Sequence, residues 1–68
     1  MIDQTKYMTL NRAAREIRQA TEHPEFSVND LRYFMSAHNE RTELSDGVPY
    51  VSVSYVIKLA YKTGKAGF

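Results

Sequence analysis

Four side chains in the stretch FSVNDLRYFMSAHN, Asn29, Arg32, Tyr33 and Ser36, carry hydrogen-bonding groups at the spacing of one helix face. An amide, a guanidinium, a phenol and a hydroxyl suit recognition of a polar partner more than the making or breaking of bonds. Catalysis would need a nucleophile, a nearby base and a third orienting group, and only His23 and His38 offer imidazole bases. His23 sits in a proline-containing connection. His38 closes a helix, where an imidazole is expected to meet free carbonyls at the negative end of the dipole. The chain has no cysteine and its two histidines lack metal-ligand spacing, so no metal site is expected. Gly47, Gly64 and Gly67 match neither phosphate-binding glycine pattern and read as turn and cap residues. Glu40, Glu43 and Asp46 read as a solvated polar surface. The expectation is a binding protein without catalytic residues, metal or cofactor.

The elements that position those four side chains follow from the apolar spacing. Thr9 is an N-cap candidate for a first helix whose Leu10, Ala13, Ala14, Ile17 and Ala20 form one buried stripe. Arg12, Arg15 and Arg18 fall outside that stripe as a basic edge, either a solvated face or a set of phosphate contacts. The segment TEHPEF breaks the pattern, because Pro24 disfavours helical geometry at His23 and lacks a backbone donor. Ser27 opens a second helix with Asp30 three residues on, close to a capping box. Val28, Leu31, Phe34 and Met35 make its buried stripe. Tyr33, next to Phe34, either caps the core with its hydroxyl in water or faces a partner.

Asp46-Gly47 favours a tight reversal, with Val48 to Val53 as a strand and Arg41 to Leu44 as its short partner. A third helix starts near Ser52 or Ser54, carries Val53, Val56, Ile57, Ala60 and Tyr61, and stops at Gly64. The fold predicted is mainly α with a small β-hairpin, in the order helix, helix, hairpin, helix, as a single domain over residues 1–68.

At 68 residues the chain has room for one small core, and with no disulfide available that core must supply the stability. No apolar run approaches a membrane span and the N-terminus lacks the layout of a signal peptide, so a cytoplasmic protein without membrane contact is expected. Net charge is +1, with acids and bases interleaved. No overall field draws in a polyanion, although Lys58, Lys62 and Lys65 occupy a stretch with no acid after Asp46.

The element order is that of a winged helix-turn-helix, in which a second helix enters the DNA major groove and a hairpin lies along the neighbouring phosphates. On that arrangement Asn29 and Arg32 reach base edges or phosphate, and Tyr33 and Ser36 reach phosphate oxygens. Three segments also resemble known proteins. YMTLNRAAREI resembles the opening of the DNA-binding domain of MerR-type regulators and of small phage excisionases. NDLRYF is similar to the MerR-type segment that carries an Arg-Tyr-aromatic trio, and GVPYVSVSYVIKLAYKTGKAGF is similar to the wing strand and the helix that follows. The resemblance implies that Arg32 and Tyr33 contact DNA and that Arg41 to Tyr50 form the wing. In two places the chain differs: RQATEHPEF lengthens the turn between the helices, and HNERTELSD lacks the family's Pro-rich basic approach to the wing. A full MerR-type regulator is excluded by length, which favours the excisionase-like form.

The expected partner is therefore double-stranded DNA, contacted by Asn29, Arg32, Tyr33, Ser36, Arg12, Arg15 and Arg41. The protein would be an excisionase-like recombination factor or a transcriptional regulator. It would be a monomer or weakly self-associating, cooperative on DNA, and a recombinase, a polymerase or another protein would be a further partner. The alternative is a protein-binding module that inhibits or recruits its partner, with Tyr33, Tyr55, Leu59 and Phe68 as anchors. Tyr55 and Leu59 would form such a patch or else belong to the core.

Overall fold

The computed structural model describes residues 2–66, and side-chain surroundings as far as residue 62. Its elements are β1 (Tyr7–Thr9), α1 (Leu10–Thr21), α2 (Val28–Ala37), β2 (Glu43–Ser45), β3 (Val48–Ser52) and α3 (Val53–Ala66). Over the described residues the fold is mixed, three helices with a three-stranded antiparallel sheet in the order β1-β3-β2. The expected hairpin is present, but a third strand joins it. Residues Tyr7 to Thr9 pair with Ser52 to Tyr50 before the chain turns into α1. Only three residues long, this strand carries too little alternation to register in the sequence.

Each helix start is explained by its own side chains. Thr9 Oγ1 accepts from Arg12 N at 3.2 Å, the expected cap of α1. The expected capping box of α2 is complete: Ser27 Oγ accepts from Asp30 N at 3.3 Å, and Ser27 N donates to Asp30 Oδ2 at 2.9 Å. Phe26 and Leu31 take the two positions of a hydrophobic staple around that cap, and both are buried. Phe26 thus belongs to the core, although the sequence places it in the connection. The far end of α2 closes with Asn39 in the left-handed region (φ 57°), Asn39 N donating to Ser36 O at 3.1 Å and Glu40 N to Met35 O at 2.7 Å. That pair of bonds is a Schellman motif, in which asparagine stands in for the commoner glycine.

Asp46 (φ 53°) and Gly47 (φ 77°) form the two-residue turn expected of Asp-Gly. With both φ positive, the strands pair at once, Ser45 opposite Val48 and Glu43 opposite Tyr50. The partner strand is therefore Glu43–Ser45, beginning two residues and ending one residue later than expected, and Arg41 lies outside it.

The core consists of Leu10, Ala13, Ala14 and Ile17 of α1, Phe26, Leu31 and Met35, Val51 of β3, and Val56 and Leu59 of α3. Val28 and Phe34 are half-buried at its margin, Phe34 lying 6.3 Å from Phe26, ring centre to ring centre. Ala20 is exposed, since α1 ends one residue later and Glu22 turns left-handed (φ 57°). In α3 the inward stripe is Val56 and Leu59 with Tyr55 and Ala60 beside it, while Ile57 and Tyr61 point outward. The sequence suggested the opposite for those two because this helix is apolar around most of its circumference, and only one side meets α1. The helix also runs through Gly64 to Ala66 instead of stopping there. Among the described residues no helix is long and apolar enough to cross a membrane.

Leu31 is fully buried and Phe34 is not. Leu31→Ala is expected to cost about 2–5 kcal/mol, a large share of the stability of so small a domain, and Phe34→Ala less than Leu31→Ala. Urea denaturation of both variants checks the order, and a Leu31→Ala midpoint equal to the parent's would contradict it.

Candidate nucleic-acid interface

Successive residues of a helix are separated by about 100°, so Arg32, Ser36, Asn29 and Tyr33 fall within an arc of roughly 100° on α2. All four are exposed, Tyr33 at 70%, and they lie across the helix from Leu31. The sequence therefore placed this face correctly. Tyr33 does not cap the core: its ring stands edge-on against Phe34, with centroids 5.5 Å apart and planes at 77°, which steadies the phenol while leaving it in water. Among the described residues Arg32 makes no salt bridge.

The three arginines of α1 separate into different roles. Arg18 is half-buried, and its Nη1 donates to the Phe26 carbonyl at 2.7 Å. It was expected on the outer basic edge, but it sits at the border of the buried stripe, where its reach brings the guanidinium across to the chain entering α2. A charged donor on a backbone carbonyl is among the stronger hydrogen bonds, and this one ties the α1–α2 connection together. Arg12 is exposed, 4.0 Å from Glu16, a pairing worth little at a surface. Arg15 is exposed, and among the described residues it makes no salt bridge. Arg41 is exposed between α2 and β2. The seven residues singled out from the sequence are thus all at the surface but on three elements: four on one face of α2, two on α1, and one beside the hairpin.

At the end of α2 the imidazole makes a contact the sequence did not reveal. His38 Nδ1 lies 2.8 Å from the Tyr55 hydroxyl, with their ring centres 5.9 Å apart. The expected meeting of the ring with helix carbonyls is replaced by this bond, which joins α2 to α3, and the free carbonyls are occupied by the Schellman motif instead. Tyr55 is half-buried and Leu59 buried, so neither is a surface anchor, and Phe68 lies outside the described residues. Among the described residues no cluster of three or more His, Asp or Glu is placed to hold a metal ion. In comparisons with protein-family models, curated proteins and solved structures, nothing matches this chain.

Burial, and secondarily the Glu40 carboxylate, push the Tyr55 phenol above the ordinary tyrosine value of 10.0. The fold therefore favours the protonated phenol. That contribution is complete below pH 10 and is lost as the pH rises through the folded value. The difference in ultraviolet absorbance between alkaline titrations of the parent and of Tyr55→Phe isolates this group. Its midpoint is expected above 10, and Glu40→Gln is expected to lower it; a midpoint at or below 10 would contradict the placement.

Proposed function

We propose that this chain is a small, non-catalytic, sequence-specific binder of double-stranded DNA with a winged helix-turn-helix arrangement. In this reading α2 enters the major groove, and the β2–β3 hairpin, approached through Arg41, runs beside the neighbouring phosphates. Arg12 and Arg15 add phosphate contacts from α1. The observation that carries the reading is the outward face of α2. It collects an amide, a guanidinium, a phenol and a hydroxyl within a third of the helix circumference, where a surface helix ordinarily displays glutamate and lysine.

The near-neutral charge bears on how such a protein would bind. A net charge of +1 supplies little attraction to arbitrary duplex, so affinity must come from local arginines and base contacts. A single module of this size buries roughly 600–1,000 Å² on DNA, which favours neighbouring sites filled cooperatively. Those features fit an excisionase-like recombination factor or a transcriptional regulator, which shapes or marks DNA for another protein.

Two substitutions separate reading from positioning. Arg32→Ala is expected to weaken binding to the preferred site by about 1–3 kcal/mol and to relax preference at one base pair. Arg15→Ala is expected to weaken binding to all sequences alike and to reduce the salt slope by about one. Fluorescence anisotropy on labelled duplexes over a range of salt concentrations distinguishes the two. Folded variants that bind like the parent would contradict the assignment.

A further inference from the structure

Two of the large apolar side chains that the fold leaves in water lie one turn apart on α3, Ile57 at 63% exposure and Tyr61 at 67%. Val53, half-buried, continues the row toward the start of the helix. Ile57 stands about 160° around the helix from Tyr55, which faces α2, so the row looks away from the proposed DNA-reading helix. At its upper end the row runs into an open groove of about 360 Å³ between the N-terminal segment and the start of α3, lined by Lys6, Ser52, Val53, Ser54 and Ile57 among others. Lysines border the row along one side and at its upper end: Lys58 and Lys62 about 100° beyond Ile57 and Tyr61, and Lys6 in the groove. Helix α3 contains no acidic residue, and none follows Asp46 in the chain.

An apolar row with lysines along one side and at one end is complementary to an amphipathic segment whose carboxylates flank its apolar residues. We infer that the Val53–Ile57–Tyr61 face of α3 docks an acidic amphipathic helix of a partner protein, whose apolar residues cover Ile57 and Tyr61 and whose carboxylates meet Lys6, Lys58 and Lys62. Helix-on-helix contact of this kind reads anchors one turn apart, as these are. Three other occupants fit less well. A second copy packed symmetrically on the same face would set lysine against lysine. A DNA backbone would gain nothing from Ile57 and would leave it uncovered. A bilayer favours a broad convex apolar face, whereas this row is narrow and ends in a concave, hydroxyl-lined groove.

The test uses the whole chain and a labelled amphipathic peptide of about 15 residues with leucines at helical spacing and glutamates on both flanks. Fluorescence anisotropy is expected to show saturable binding that Ile57→Asp weakens about tenfold or more, as does the pair Lys58→Glu with Lys62→Glu. A peptide of the same composition in scrambled order is expected to bind weakly, and Arg32→Ala, on the other side of the molecule, to leave binding unchanged. Both Ile57 and the lysines are exposed, so the variants are expected to fold, and a melting curve verifies this. The inference is overturned if the parent does not bind the peptide, if Ile57→Asp binds it equally well, or if the same substitutions instead abolish self-association in sedimentation, duplex binding, or adsorption to anionic phosphatidylserine vesicles.

Discussion

The paired alanines Ala13 and Ala14 let α1 be approached closely from more than one direction, and the rest of the fold is arranged around that opportunity. Both are fully buried, and α1 packs on α2, α3, β1 and β3. The distance between helices depends on the side chains at their contact, so small residues here allow two helices and a sheet to share one stripe. A larger side chain at either position would have to displace a neighbour, at a cost of about 1–3 kcal/mol in a well-packed core. With ten of the described residues in the buried cluster, the domain has few other contacts to compensate.

From that centre the placement of α2 follows through a short chain of contacts. Phe26 anchors the connection in the core, the Arg18 guanidinium holds its carbonyl, and the capping box starts the helix at Ser27. At the other end the Schellman motif stops the helix, and the His38–Tyr55 bond joins it to α3. Helix α2 is thus fixed at both ends by polar contacts and along its inner side by Leu31 and Met35. Its outer side is left to Asn29, Arg32, Tyr33 and Ser36, a pre-organised surface of the kind recognition requires.

Much of this was legible in the sequence where a local rule decides the outcome. Thr9, the Ser27–Asp30 box and the Asp46-Gly47 turn each act within a few residues, and each stands as read. The stripes of α1 and α2 were legible because polar residues interrupt them. What was not legible depends on distant parts of the chain. β1 exists because Ser52 to Tyr50 are there to pair with it. Arg18 looked like a solvated cation because nothing local signals that its reach ends at a carbonyl eight residues away. In α3 the apolar residues encircle the helix, so the sequence could not say that Leu59 turns inward and Ile57 outward. The staple formed by Phe26 and Leu31 was present as a local signal, and counting from Ser27 would have found it.

The most direct measurement of the proposed function is amide-resolved NMR of the labelled chain titrated at low salt with a short duplex selected for binding from a random-sequence pool. The account predicts that the largest shift changes fall on Asn29, Arg32, Tyr33 and Ser36, with smaller ones at Arg15 and Arg41, and that α3 beyond Val56 stays unaffected. Changes centred on Ile57 and Tyr61, or no changes at all, would contradict it.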